Sequence, residues 1–192
     1  MSSPSDGFKS NLEAALTYGI DIRGRRIFLQ GDVDNDTIST AIRGMYLMAD
    51  ESPEPIELYV ASYGGDIDES FALHDVTRTI KVPVHTIALG MCMSAAPFLV
   101  ACGARGHRYA SENTQFMMHT ASMGLDGGMP NLVGTIEAVK SRCERMDRLL
   151  AKYTKKDYRH WSKFSKSSTD HYFSAEKALE WGLIDHIWSE KP

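Results

Sequence analysis

The chain has 192 residues, of which 43% are hydrophobic and 24% charged, and its formal net charge is −4. These values predict one globular domain of ordinary size and exclude a disordered chain. No block of lysine or arginine favours nucleic-acid binding, no apolar run is long enough to cross a membrane, and the N-terminus lacks the pattern of a signal peptide. We therefore expect a soluble, cytoplasmic protein whose cysteines (Cys92, Cys102 and Cys143) stay reduced.

From Arg26 onward, short apolar runs alternate with runs in which apolar residues recur every three or four positions, which predicts an α/β fold. The predicted strands are residues 26–30, 56–61, 84–89, 116–119 and 183–188. The predicted helices are residues 34–50, 66–80, 94–102, 132–153, a shorter helix within 154–168, and 175–181. Residues 1–24 form an N-terminal segment that we expect to be partly mobile, and residues 25–192 form the predicted domain.

Paired glycines, Gly64 and Gly65, follow the second predicted strand. Such a pair lets the backbone approach a ligand and direct N–H groups at it. A plain turn after a strand explains the same pair. No Gly-Lys-Ser/Thr follows, so the pattern is not that of a phosphate-binding loop.

Ser94 is the single hydroxyl in the otherwise oily stretch GMCMSAAPFLV. A buried hydroxyl without a partner costs roughly 1–3 kcal/mol, so it is either satisfied or used. At the start of a predicted helix it could be a nucleophile, with the N–H of Ala95 free to stabilise an oxyanion, and Pro97 suits the first helical turn. A helix N-cap serine without chemistry explains the pattern as well. The stretch is not a G-x-S-x-G nucleophile elbow.

His119 closes a predicted strand ahead of a glycine-rich connection, residues 121–129. It could reach a site formed by neighbouring strand ends, or it could be a structural histidine that forms a hydrogen bond where the strand ends. A serine nucleophile needs a base, and that base needs an orienting carboxylate. The candidates left open by the local pattern are Asp147, Asp157, Asp170 and Asp185. The other histidines lack metal-ligand spacing, so we expect no metal.

Five segments, in order, resemble the proteolytic subunit of the Clp protease, the caseinolytic serine peptidase family. They are RIFLQGDV, ELYVASYGGDIDESFALHD, ALGMCMSAAPFLVACGARGHRYA, TQFMMHTASMG and DHYFSAEKALEWGLIDHI. The similarity extends from about residue 25 to residue 188. The resemblance implies a ClpP-like, crotonase-like α/β spiral of β-β-α units, with residues 132–153 as a long handle helix.

The resemblance also implies roles for individual residues. The family's catalytic serine falls on Ser94, its histidine on His119 and its carboxylate on Asp170. Asp185 instead matches the aspartate of the family's Gly-Leu-Ile/Val-Asp ending, which implies a structural role. The implied chemistry is a Ser-His-Asp peptidase mechanism without a cofactor.

Two further sets of residues follow from the same resemblance. The backbone N–H groups of Gly65 and Ala95 would form the oxyanion hole. A substrate would bind as an added strand between two glycine-containing segments. The binding residues implied there are Gly64, Gly65, Gly124, Gly127 and Gly128.

Members of the family stack two heptameric rings into a closed tetradecameric chamber and receive unfolded polypeptides from a hexameric AAA+ ATPase. The resemblance therefore implies an ATP-dependent serine endopeptidase that forms a homo-oligomer. From the charge distribution and the lack of a long apolar run, we expect it to bind neither nucleic acid nor membranes. Residues 1–24 do not resemble the family's axial-pore hairpin. The sequence also departs from the family's usual residues at three places: Tyr63 replaces a proline, Ala95 replaces a methionine, and Thr120-Ala121 replaces Gln-Pro.

Two other interpretations remain open at this point. The chain could be a non-catalytic or accessory ring subunit that assembles with an active paralogue. It could also be an acyl-CoA enzyme of the wider crotonase superfamily, which shares the oxyanion logic but needs no serine nucleophile.

Overall fold

The computed structural model describes residues 4–122 and 129–188, and this part of the chain contains helices on a mostly parallel sheet. The strands are β1 (Ile20–Asp21), β2 (Arg26–Val33), β3 (Ile56–Gly65), β4 (Val84–Met93), β5 (Arg108–Ser111), β6 (Gln115–Met118), β7 (His171–Ser174) and β8 (His186–Trp188). The helices are α1 (Pro4–Tyr18), α2 (Asn35–Glu51), α3 (Ile67–Thr79), α4 (Ala96–Ala101), α5 (Met129–Tyr153), α6 (Tyr158–Ser165) and α7 (Ala175–Trp181). The prediction of an α/β fold is confirmed.

The sheet runs in the order β1-β2-β3-β4-β5-β8, and β6 and β7 branch from β4. Strands β2, β3, β4, β5 and β8 are parallel along this path, and β6 is parallel to β4. Strands β1 and β7 pair antiparallel with their neighbours. Because the carboxyl ends of parallel strands meet at one edge, the loops after β3, β4 and β6 lie together.

Strand β4 divides the sheet in two. Its first half pairs with β5 from Thr86 to Ala88, and its second half pairs with β6 from Met91 to Met93. Gly90 lies between the halves with a φ of 61°, a left-handed conformation that favours glycine. This division brings β6, and not β5, beside the end of β4.

The helices bury their apolar stripes against the sheet, as their spacing predicts. In α2 the buried residues include Ile38, Ala41, Met45 and Met48. Asp34 begins this helix with a capping box, in which its side chain accepts from the Thr37 N–H. Every residue of the short helix α4 is buried, so α4 is held in the centre of the core.

Helix α5 is buried at one end and exposed at the other. Met146 and Leu150 lie in the core, whereas Val133 and Ile136 near the start of the helix are exposed. The predicted long helix is therefore present, and its first half carries exposed apolar side chains. Within the described ranges, no helix is both long and apolar enough to cross a bilayer.

Four elements have no counterpart among those predicted from the sequence. They are α1, β1, β5 and β7. The strands are two to four residues long and contain exposed or half-buried positions, so they lack a continuous apolar signal. Helix α1 lies in the segment expected to be partly mobile, where the side chain of Asn11 donates to Asp21 and accepts from the Arg23 N–H. The domain boundary at residue 25 stays a prediction.

Candidate active site

Ser94 lies in a strained turn between β4 and α4. Its φ is 58°, in the left-handed region that costs a non-glycine residue about 1–3 kcal/mol. Its N–H donates to the Met117 carbonyl at 2.8 Å. The prediction that the helix begins at Ser94 is wrong, because this conformation is not helical and α4 starts at Ala96 with Ala95 as N-cap. An N-cap role for Ser94 is thereby excluded.

His119 contacts the hydroxyl of Ser94 directly. Strands β4 and β6 pair in parallel with Met93 opposite Met117, so the residues that follow the two strands are neighbours. The His119 Nε2 lies 2.8 Å from the Ser94 Oγ, which is hydrogen-bonding distance. The Ser94 hydroxyl thus has the partner that its sequence position required.

Asp170 lies on the other side of the same histidine. Strand β7 runs antiparallel to β6 with His171 opposite Met118, so Asp170 comes opposite His119. The Asp170 Oδ1 is 3.7 Å from the His119 Nδ1, a distance that allows an ion pair but exceeds a hydrogen bond. The imidazole therefore has the serine at one nitrogen and the carboxylate near the other.

The other three candidate aspartates have different partners. Asp157 caps α6 by accepting from the His160 N–H at 2.8 Å. Asp185 pairs with Arg108 at 2.6 Å, in agreement with the structural role that the family resemblance implies. Asp147 accepts from the Ser165 hydroxyl at 2.7 Å. Of the four candidates, Asp170 is the one whose carboxylate the structure pairs with His119.

Gly64 packs against the backbone that carries the serine. Its φ is 96°, and a Cβ added there would lie 2.6 Å from the Met93 carbonyl oxygen and 2.9 Å from the Ala95 nitrogen. Gly65 has a φ of 151°, and its Cβ would overlap the carbonyl of Val33. Both positions favour glycine, and the plain-turn interpretation does not account for the close approach of Gly64 to the turn that carries Ser94.

Gly65 and Ala95 are the residues whose N–H groups are predicted to bind an oxyanion. The N–H of Ala95 has no acceptor among the residues that the structure describes, because the residue precedes the first turn of α4. Gly65 and Ala95 both line the cavity that contains Ser94. A free N–H beside a nucleophilic hydroxyl can stabilise negative charge on a substrate oxygen.

The cavity beside Ser94 has a volume of about 720 Å³. The end of β3 contributes Tyr63 and Gly64 to its lining, and α5 contributes a second group of residues, the α5 wall. The α5 wall was not predicted from the sequence, and its members include Val139, Arg142, Cys143, Met146 and Asp147. Gly64 and Gly65 lie on the wall where a substrate strand is predicted. Gly124, Gly127 and Gly128, the predicted opposite side of that strand, fall outside the described residues.

The cysteines are poor competitors for the role of nucleophile. Burial raises the pKa of Cys92 and Cys102, both of which are fully enclosed. Cys143 lines the cavity, but burial and the nearby Asp147 carboxylate raise its pKa as well. Because a thiol reacts as its thiolate, these shifts favour Ser94 as the reactive group.

The cavity offers no preformed metal centre. No group of three or more histidine, cysteine or acidic side chains is placed to hold a metal ion in residues 4–122 and 129–188. The chemistry available there is that of a hydroxyl, an imidazole, a carboxylate and backbone N–H groups.

Comparison with protein-family models gives a match over nearly the whole chain. Residues 10–191 match the family described as Clp protease. The match covers all eight strands and includes Ser94, His119 and Asp170.

Proposed function

The chain belongs to the Clp protease family, and we propose that it is a serine endopeptidase whose reaction is carried by Ser94, His119 and Asp170. Membership of the family confirms the predicted fold and supports a serine peptidase role. The observation that carries the mechanism is the 2.8 Å hydrogen bond between His119 Nε2 and Ser94 Oγ.

The first step is attack on the peptide bond. The Ser94 Oγ attacks the carbonyl carbon of the scissile bond while the His119 Nε2 takes the hydroxyl proton. The imidazole becomes positively charged, and the Asp170 carboxylate near Nδ1 stabilises that charge. A small shift of the exposed Asp170 side chain would shorten the 3.7 Å separation, since catalytic hydrogen bonds tighten when substrate binds.

Negative charge then develops on the substrate oxygen. The N–H of Ala95 is free to donate to that oxygen, and Gly65 lines the same cavity. Loss of one donor of this kind costs a known hydrolase roughly 3–4 kcal/mol of transition-state stabilisation. The replacement of the family's usual methionine by Ala95 leaves this backbone donor in place.

Collapse of the tetrahedral intermediate completes acylation. The protonated His119 gives its proton to the leaving amine, and the acyl group remains on Ser94. A water molecule, deprotonated by His119, then attacks the ester, and the acid product leaves with Ser94 regenerated. Each transfer uses the same imidazole nitrogen, so no further acid or base is required.

The two other interpretations have less support. A non-catalytic subunit has no need for a serine held in a strained conformation against a histidine. An acyl-CoA enzyme would use the oxyanion donors but leaves the contacts between Ser94, His119 and Asp170 without a role. The peptidase proposal uses all of these features.

The assembly is also part of the proposal. The family generally forms oligomeric rings, and the exposed Val133 and Ile136 on the first half of α5 offer apolar surface for contact between rings. We propose stacked rings, heptameric in the family pattern, that enclose the cleavage sites and accept unfolded polypeptides. Delivery by an AAA+ ATPase rests on the family resemblance alone.

Cleavage of an unfolded polypeptide tests this function. The assembled protein should cut reduced, unfolded casein, and Ser94→Ala should abolish cleavage while the native mass of the assembly stays unchanged. Cleavage that persists in Ser94→Ala would contradict the proposal, as would turnover of an acyl-CoA thioester that this change does not affect.

A further inference from the structure

The cavity beside Ser94 has an excess of negative charge. The acidic residues among its described lining are Asp32, Asp66, Asp68 and Asp147. Arg142 is the one lysine or arginine in the same described lining, and its Nε already pairs with Asp68 at 2.6 Å. The negative charge of the described lining is therefore not balanced by positive charge in the same lining.

Asp147 is the most enclosed of these carboxylates. It lies on α5 and is 3% exposed. Its Oδ2 accepts from the neutral Ser165 hydroxyl at 2.7 Å, and its Oδ1 has no hydrogen-bond partner in the described part of the chain. Asp147 lines the cavity and its Oδ1 is not among the fully enclosed unpaired atoms of the described residues, so this oxygen is open to the cavity, where a cationic partner can reach it.

The pKa of Asp147 is raised above its ordinary value, which agrees with its buried position. Burial raises the pKa, while the Ser165 hydrogen bond and the charge of Lys166 oppose the rise. Its one hydrogen bond among the described residues comes from the neutral Ser165 hydroxyl, so the carboxylate has no directly bonded cation there. None of the three triad residues contacts Asp147, so the proposed mechanism does not use it.

We propose that Asp147 recognises a lysine or arginine side chain of the polypeptide substrate, an inference that rests on the proposed peptidase function. The cationic head would pair with the free Oδ1 of Asp147. The aliphatic stem would lie against Val139 and Met146, which line the same α5 wall. The protein would then cleave near basic residues, whereas a wholly apolar cavity would select apolar side chains.

Asp147→Asn tests directly whether the charge of Asp147 recognises a basic side chain. An asparagine oxygen can still accept from the Ser165 hydroxyl, so the contact between α5 and α6 is kept while the charge is removed. Glu144→Gln is the matched control, because Glu144 is an exposed acid one turn earlier on the same helix and does not line the cavity. The charge of Glu144 raises the pKa of Asp147, so its removal favours the ionised form of Asp147 and should leave the lysine preference in place.

Peptide binding separates this inference from catalysis. In the Ser94→Ala background, a fluorescent ten-residue peptide with one central lysine should bind about tenfold or more tightly than the same peptide with norleucine. The difference should vanish with Asp147→Asn and persist with Glu144→Gln. Equal binding of the two peptides, binding of neither, or a lysine preference that survives Asp147→Asn would overturn the proposal.

Mapping of cleavage products provides the second measurement. The protein without the Ser94→Ala change should yield casein fragments with lysine or arginine enriched at one position near the cut bonds, and Asp147→Asn should remove that enrichment. Absence of enrichment would contradict the recognition role. Lysine-dependent binding without any cleavage would instead contradict the peptidase proposal and leave the role of Asp147 standing.

Discussion

Gly64 and Ser94 touch each other across two strand ends: a methyl group placed on Gly64 would lie 2.6 Å from the Cβ of Ser94. The glycine on β3 therefore limits where the nucleophile on the next strand can lie. The contact links the glycine pair and the lone hydroxyl, which are 30 residues apart in the sequence.

Gly64→Ala should reduce peptide cleavage strongly without unfolding the protein. The new methyl group must displace the turn that carries Ser94, and a shift of about 1 Å at reacting groups can cost roughly a hundredfold in rate. The measurement is kcat for a fluorogenic peptide, together with the thermal unfolding midpoint.

Gly31→Ala is the matched control for this change. Gly31 has a φ of 92°, close to the 96° of Gly64, but its Cβ would meet nothing within 4 Å. Both variants place a side chain at a similar positive φ, so both should lose some stability, and Gly64→Ala should lose more because its methyl group also collides with the turn that carries Ser94. Equal loss of kcat in the two variants would mean that contact with Ser94 is not the cause.

Asp170→Asn should lower kcat by about a hundredfold or more, because an amide no longer stabilises the charged imidazole of His119. Asp157→Asn makes the same charge change at an exposed helix N-terminus, where Asn caps a helix about as well as Asp. That control should keep full activity. An Asp170→Asn variant within threefold of the parent kcat would remove Asp170 from the mechanism.

Asp185→Asn should destabilise the fold by about 3 kcal/mol near neutral pH, because it leaves the buried guanidinium of Arg108 without its counterion. Burial alone would raise the pKa of Asp185, but the hydrogen bonds and charge of Arg108 outweigh it, and the net pKa is lowered.

The sign of that shift predicts the pH dependence. A carboxylate with a lowered folded-state pKa stabilises the fold above its unfolded pKa, about 3.9, and this stabilisation is lost as pH falls through the folded value. The difference in unfolding midpoint between the parent and Asp185→Asn should be constant near neutral pH and shrink below about pH 4. A difference that grows towards acid pH would contradict the ion pair.

The sequence was sufficient to predict the positions of site residues that lie at the ends of apolar strands. Ser94, Gly64 and His119 each follow a run that is buried and periodic, so local pattern placed them at one sheet edge. It could not show the left-handed conformation of Ser94, which depends on the division of β4 between two neighbouring strands.

Asp170 and Asp147 could not be placed from local pattern. Asp170 faces His119 because β7 pairs antiparallel with β6, and β7 is four residues long with only Phe173 buried. Asp147 reaches the cavity because α5 packs beside α6, where Ser165 ends the helix. Both placements depend on contacts between distant segments, which no short window of sequence contains.

The most direct test of the mechanism is the site of covalent labelling by an uncharged fluorophosphonate, mapped by mass spectrometry of the digested protein. Such a reagent phosphonylates a serine that a neighbouring base activates. We predict one adduct, on the peptide that contains Ser94, which is absent in Ser94→Ala and forms far more slowly in His119→Ala. An adduct on another residue, or labelling at an unchanged rate in His119→Ala, would contradict the assignment of Ser94 and His119 as nucleophile and base.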